Sequence, residues 1–119
     1  MKKFLPIIIT LAVIALGAFI IFMPNKVSGV PKESVLYIGD GCPHCKIVED
    51  FISANGVDKK ITFATKEIFK DSDNAAELLQ VWRRCGLNEA KGMSVPLFWD
   101  GTSCYLGDQE ITNYFKTKI

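Results

Sequence analysis

The sequence predicts an α/β domain whose mixed sheet of about four strands is flanked by helices, behind a single apolar helix at the N-terminus. Two observations predict this. From Ser34 onward, short apolar segments of β type alternate with segments whose apolar residues recur at helical spacing. Ahead of them, the chain carries no charged residue from Phe4 to Pro24. A length of 119 residues leaves room for one domain and little else.

The apolar N-terminal run has the length of a membrane span. Leu5 to Met23 is 19 residues, close to the ~20 that a spanning helix needs and longer than the ~7–15 of a typical signal-peptide core. We therefore expect residues 1–23 to be a retained transmembrane anchor or uncleaved signal. Residues 24–33, rich in Pro, Gly, Ser and Lys, would be a linker, and residues 34–119 the domain. A cleaved signal, with a weak site at Val27-Ser28-Gly29, is the alternative.

Charge distribution bears on orientation and partners. Lys2 and Lys3 favour a cytoplasmic N-terminus, although Lys26 and Lys32 on the other side weaken that signal. We expect a single-pass cell-membrane protein with an extracytoplasmic domain, or a periplasmic or secreted protein if the segment is cleaved. Without Lys2 and Lys3, 12 basic residues face 13 acidic ones, a net charge of −1. No basic patch indicates nucleic-acid binding.

The first half of the domain is predicted as strand, helix, strand, helix. Val35–Ile38 is a first strand, and Pro43–Asn55 is a helix that ends at Gly56. Lys60–Ile68 is a second strand with partial alternation. The next helix has N-cap candidates in Asp71-Ser72-Asp73 and ends before Gly86, and its apolar face comprises Ala75, Leu78, Leu79, Trp82 and Cys85.

The second half is predicted as a hairpin followed by a helix. Pro96–Trp99 and Thr102–Leu106 flank Asp100-Gly101, which favours a two-residue turn. Asp108 is the predicted cap of the last helix, whose apolar residues are Ile111, Tyr114 and Phe115. The order is βαβαββα. The core is expected to include four aromatic residues, Tyr37, Trp82, Phe98 and Trp99.

Cys42-Pro43-His44-Cys45 lies at the junction of the first strand and first helix. Two cysteines three apart at such a junction are typical of a thiol–disulfide redox site. A Cys42 thiolate would be stabilised by the helix N-terminus, which makes Cys42 the expected nucleophile with a lowered pKa. Cys45 would be the resolving thiol. Pro43 suits the first helical turn, and His44 would stabilise the Cys42 thiolate, which makes the disulfide more oxidising.

Other interpretations of this motif belong to other functional classes. Soft thiolates at Cys42 and Cys45 would also suit a module that binds or delivers Cu(I) or Zn. His44 is the single histidine in the chain, so a histidine–cysteine zinc site is not expected, and no metal is assigned. Covalent haem attachment requires His at position 46, where Lys46 stands. A redox-inert adaptor is the third alternative.

The other two cysteines leave several possibilities open. Cys85 lies on a helix and Cys104 in a predicted strand. They could form a structural disulfide in an oxidising compartment, remain two buried thiols, or act as a second redox relay. Asp40, just before the motif, is expected to be a solvated turn residue.

Residues 34–118 resemble the thioredoxin fold, and in its minimal form the glutaredoxins. Three landmarks occur in the right order: the C-x-x-C after the first strand, Ser94-Val95-Pro96 at the start of the third, and Leu106-Gly107-Asp108 before the last helix. The Pro-His dipeptide is similar to that of bacterial extracytoplasmic disulfide oxidases and of membrane-tethered thioredoxin-like domains. The chain departs from these families at Gly41, where thioredoxins often have tryptophan, and at Leu106, where glutaredoxins commonly have glycine.

The resemblance implies a membrane-tethered thiol–disulfide oxidoreductase, with an oxidase or isomerase favoured over a reductase, although reductases share the fold. Pro96 would be cis and would hold Val95 beside the cysteines, so that the Val95 backbone pairs with a substrate chain. The expected partners are cysteine-containing exported proteins and a membrane or soluble redox protein that regenerates the site. The protein is expected to be a monomer and to need no cofactor.

Overall fold

The computed structural model describes residues 2–22 and 29–119, so Val27 and Ser28 of the weak cleavage site and residues 24–28 of the predicted linker lie outside the described residues. The N-terminal helix α1 is Leu5–Phe22, 18 residues with a mean hydropathy of 2.8. None of its residues is buried. Its length and composition are those of a helix that could cross a membrane or serve as a signal sequence.

The remaining elements form one sheet with helices on both faces. In chain order they are β1 (Val35–Ile38), α2 (Pro43–Asn55), α3 (Val57–Lys60), β2 (Ala64–Glu67), α4 (Ser72–Arg84), β3 (Leu97–Trp99), β4 (Cys104–Leu106) and α5 (Asp108–Lys116). The sheet order is β2-β1-β3-β4. β1 pairs parallel with β2 and antiparallel with β3, and β4 is antiparallel to β3. The predicted fold class is confirmed, with α3 as an additional short helix.

Two apolar clusters cover the two faces of the sheet. Successive side chains of a strand point to opposite faces, so Val35 and Tyr37 pack with α4 whereas Leu36 packs with α2 and α5. The four aromatic residues predicted for the core are all buried: Tyr37, Trp82, Phe98 and Trp99. The Trp99 indole N–H donates to the Pro31 carbonyl at 2.8 Å. The domain therefore also contacts Pro31, a residue of the predicted linker.

Among the four core aromatic residues, Tyr37 has a partly buried ion pair at its tip. Its hydroxyl donates to Oε1 of Glu77 at 2.7 Å, and Nζ of Lys66 lies 2.7 Å from the same oxygen. Burial, followed by the hydrogen bond to Glu77 and its charge, raises the pKa of Tyr37. The three residues connect β1, β2 and α4 on the face of the sheet opposite α2 and α5.

The second strand is shorter than predicted. Residues 60–63 and Ile68 do not belong to β2. At the start of the predicted strand the chain instead forms a further helical turn, α3, directly after the left-handed cap residue Gly56, whose φ is 60°. Val57 is fully buried in this turn, and Lys59 and Lys60 lie at its C-terminal end, where the helix dipole favours positive charge. The burial of Val57 depends on tertiary packing, so the alternation of apolar residues in the sequence does not predict it.

The β3–β4 connection and the start of α5 also differ from the predictions. Trp99 pairs with Cys104, so residues 100–103 form a four-residue connection rather than a two-residue turn. Oδ1 of Asp100 accepts the backbone N–H groups of residues 102 and 103, at 2.8 and 2.6 Å, which stabilises the wider turn. Asp108 is the first residue of α5 and not its cap; the cap position is Gly107, with a φ of 89°.

Candidate functional site

Cys42 occupies the N-cap of α2, where a backbone N–H of the first helical turn points at its side chain. Its φ and ψ are −80° and 116°, and its Sγ accepts the backbone N–H of Cys45 at 3.2 Å. Pro43 is at the first helical position, where an N–H would have no intrahelical partner. The helix N-terminus and this N–H both favour negative charge on Sγ. The structure thus provides the environment that stabilises a thiolate at Cys42.

The two cysteines of the motif differ in exposure. Cys42 is partly exposed, whereas Cys45 is 2 % exposed and belongs to the core side of α2. The structure joins them in a disulfide with a Cα–Cα distance of 5.2 Å, within the usual range for such bonds. A partner thiol or disulfide can therefore reach the Cys42 sulfur but not the Cys45 sulfur.

Val95, which precedes Pro96, lies against the sulfur of Cys42. The Val95–Pro96 peptide bond is cis, the isomer that the resemblance implies. The carbonyl oxygen of Val95 is 3.7 Å from Sγ of Cys42, and in a dithiol form the Cys42 thiol could donate its proton to that oxygen. Pro96 is buried, and its carbonyl accepts the Gly107 N–H at 3.0 Å, which connects this segment to the start of α5.

His44 points toward α5. Its Nδ1 lies 3.0 Å from Oδ1 of Asp108. The His44 side chain is 68 % exposed and the Asp108 side chain 24 %. The carboxylate that the sequence predicts as a helix cap therefore holds the imidazole at the N-terminal end of α2. The contact on Cys42 itself comes from the Cys45 backbone N–H.

A groove of about 420 Å³ lies beside Cys42, between the N-terminal turn of α2 and the loop after β2. Asp40 and Lys70 form an exposed ion pair at 2.6 Å in its wall. The hydrogen bond and charge of Lys70 lower the pKa of Asp40, and Asp40 raises that of Lys70 in the same way. Partial desolvation acts to raise the pKa of Glu67, but the backbone N–H groups of residues 70, 69 and 40 outweigh it and leave that pKa lowered.

Cys85 and Cys104 form the second disulfide of the structure. It connects the C-cap of α4 to the first residue of β4, with a Cα–Cα distance of 6.1 Å. Both residues are partly buried and pack against the cluster that contains Trp82 and Trp99. Of the alternatives that the sequence leaves open for this pair, the structure has the disulfide.

The structure shows no obvious metal centre in the part of the chain that it describes. Among those residues, no group of three or more His, Cys, Asp and Glu side chains is placed to hold a metal ion. Within those residues, no third His, Cys, Asp or Glu side chain is placed to bind a metal together with Cys42 and Cys45.

Comparisons with known proteins identify the fold. No protein-family model matches the chain, and no curated protein matches it by sequence. A crystal structure of a buckwheat glutaredoxin–glutathione complex is similar, with a TM-score of 0.50 and 17 % identity, over 71 % of this chain and 68 % of that one. Oxidized glutaredoxin 2 from Chlamydomonas reinhardtii has a TM-score of 0.48 and 15 % identity, over 71 % and 72 %. The sheet topology and the likeness to the buckwheat glutaredoxin make the fold glutaredoxin-like.

Two residues of the site were not predicted from the sequence. Asp108 contacts His44 across 64 residues of sequence, and Glu67 contacts Asp40 across 27. Neither contact has a local signature, because each forms only when separate elements are packed together. The Asp108 contact could have been anticipated from the landmark Leu106-Gly107-Asp108, which the fold places beside the motif.

Proposed function

We propose that the protein is a thiol–disulfide oxidoreductase that exchanges disulfides through Cys42 and Cys45. One observation carries the proposal: the exposed sulfur of a Cys-x-x-Cys pair sits at a helix N-cap and accepts a backbone N–H, while its partner sulfur is buried behind it. Such an arrangement favours the Cys42 thiolate as the attacking or leaving group. The adjacent Val95 carbonyl is consistent with the role.

In the oxidising direction, a substrate thiolate attacks Sγ of Cys42 in the disulfide, and Cys45 leaves as a thiolate. A second substrate thiolate then attacks the substrate sulfur of the mixed disulfide, and Cys42 leaves. The substrate loses two electrons and gains a disulfide, and the site becomes a dithiol. A separate redox protein must then reoxidise the site. In the reducing direction the same steps run backward, beginning with attack by the Cys42 thiolate.

We favour the oxidising or isomerising direction because several features stabilise the reduced form. The N-cap position and the Cys45 N–H both favour a Cys42 thiolate. His44, held beside the helix N-terminus by Asp108, adds a polar group that can carry positive charge. A more stable reduced form makes the disulfide a better oxidant.

The proposed substrates are cysteine-containing exported proteins, whose chains would pair with the Val95 backbone. The support is the position of Val95 beside Cys42 and the apolar helix α1, which would anchor residues 34–119 at the outer face of the membrane. Four cysteines joined as two disulfides suit an oxidising compartment. If the N-terminal segment is cleaved, the same domain would act as a periplasmic or secreted protein.

Trapping of a mixed disulfide tests the proposal. The full chain with Cys45→Ser, reduced and mixed with a peptide that carries one disulfide, should form a stable adduct at Cys42 by mass spectrometry, because the resolving thiol is absent. The matched variant Cys42→Ser should form little, because Cys45 is buried. Equal adducts with both variants, or none with either, would contradict the assigned roles.

A further inference from the structure

The side chain of Glu67 connects the loop that presents Cys42 to the loop after β2. Oε1 of Glu67 accepts the backbone N–H of Asp40 at 3.2 Å and that of Phe69 at 2.6 Å. Oε2 accepts the N–H of Lys70 at 2.8 Å. One carboxylate thus binds backbone groups of two separate loops, and charged acceptors make the stronger hydrogen bonds in proteins.

Two further contacts join the same loops. The ring of Phe69 covers the buried Gly39 so closely that a Cβ at this position would overlap it. The Asp40–Lys70 ion pair spans the junction as well, but its side chains are 60 % and 75 % exposed, so it should contribute little. Among these contacts, Glu67 supplies most of the polar attachment.

The attached loop determines where the Cys42 sulfur lies. The Cys42 N–H donates to the Gly39 carbonyl at 3.2 Å, and Gly41 between them has a φ of 77°, which favours glycine. Movement of residues 39 and 40 would therefore move Cys42 away from the Cys45 N–H and the Val95 carbonyl.

We propose that Glu67 is a positioning residue for the redox site: by holding Asp40, it keeps Cys42 at the geometry in which its sulfur exchanges fastest. The inference rests on the proposed function. The proposed role of Glu67 is to position the Cys42 sulfur, which speeds exchange. The negative charge of Glu67 would act on the exchange rate in the opposite direction. Glu67 lines the same groove as Cys42, so its negative charge alone would disfavour a Cys42 thiolate.

We would test this with three variants of the full chain in detergent micelles: Glu67→Gln, Glu67→Asp and the control Glu77→Gln. In the reduced protein we would measure the second-order rate constant of Cys42 with a disulfide peptide, from pH 5 to 9. Glu67→Gln removes one acceptor and should slow exchange by about five- to tenfold at saturating thiolate, the loss expected for one net hydrogen bond. Glu67→Asp keeps the charge but shortens the reach, and should also slow exchange. Amide hydrogen exchange at Asp40 should become faster in both.

Glu77→Gln is the matched control, because Glu77 is a half-buried carboxylate that contacts Tyr37 and Lys66 and does not line the groove beside Cys42. This variant should lower stability while the Cys42 rate stays within twofold of wild type. A faster rate in Glu67→Gln with no change in Glu67→Asp would replace the positioning role with a purely electrostatic one. Equal slowing by Glu77→Gln would contradict the positioning role, because both variants would then act through a general loss of stability. If wild type does not exchange at all, the proposed function fails, and Asp40 exchange still reports whether the attachment exists.

Discussion

Reduction of the Cys85–Cys104 disulfide should lower the free energy of unfolding by about 3 kcal/mol. The cross-link closes a loop with a sequence separation of 19, and the chain-entropy model gives about 3 kcal/mol for a loop of this length. A domain of 86 residues is expected to have roughly 4–13 kcal/mol of stability in total. The disulfide would therefore supply a large share of it, with a decrease in Tm of roughly 12–24 °C upon reduction.

The assay needs a protein in which this is the one remaining disulfide. A soluble fragment that begins at Val30 and carries Cys42→Ser and Cys45→Ser meets that condition. Urea unfolding can be followed by tryptophan fluorescence, since Trp82 and Trp99 pack in the cluster next to the disulfide. The measurement is made with and without dithiothreitol. The dependence on urea should also be steeper after reduction, because the unfolded chain is then less constrained.

A matched control distinguishes the cross-link from other effects of the reductant. The same fragment with Cys85→Ala and Cys104→Ala should be insensitive to dithiothreitol and should unfold near the reduced parent. A change of less than about 0.5 kcal/mol in the unfolding free energy of the parent upon reduction would show that the loop-closure model does not describe this bond.

Three further results are expected. His44→Ala should lower the reduction potential of the motif by roughly 10–30 mV, because loss of about 0.5–1.4 kcal/mol of stabilisation of the reduced form shifts a two-electron couple by that amount. Redox titration measures this shift, and an unchanged potential would remove His44 from the mechanism. The pKa of Glu67 is lowered in the folded protein. Its contribution to the free energy of unfolding should therefore be present at pH values above the ordinary pKa of glutamate and be lost as the pH falls through the lower folded pKa. Between pH 7 and 3 the urea midpoint should decrease more in wild type than in Glu67→Gln, and parallel curves would contradict this. Tyr37→Phe should cost about 1–2 kcal/mol, since Glu77 loses a donor in a half-buried site, and a change within about 0.3 kcal/mol would show that the hydrogen bond contributes nothing.

The parts of the fold with local signals were predictable from the sequence. β1 and α2 have the predicted bounds. Pro43 marks the first turn of α2, and Gly56 adopts the left-handed conformation that ends it. Both signals act within a few residues, so they need no knowledge of the tertiary structure.

The remaining differences arise from contacts between distant segments. α3 depends on burial of Val57, and Asp108 contacts His44 instead of capping its own helix. The Cys85–Cys104 pairing depends on how α4 packs on the sheet, so the sequence left it open. The motif itself was predictable, whereas the side chains that hold it in place were not.

The proposed function is tested most directly by the equilibrium reduction potential of the Cys42–Cys45 pair, measured in glutathione redox buffers in a Cys85→Ala/Cys104→Ala background. We expect one reversible two-electron transition above about −200 mV, toward the oxidising end of the thioredoxin-fold range. A transition below about −250 mV would contradict the oxidising direction and indicate a reductase. Absence of any reversible transition would contradict the redox function itself, and a thiolate metal-binding role would become the leading alternative.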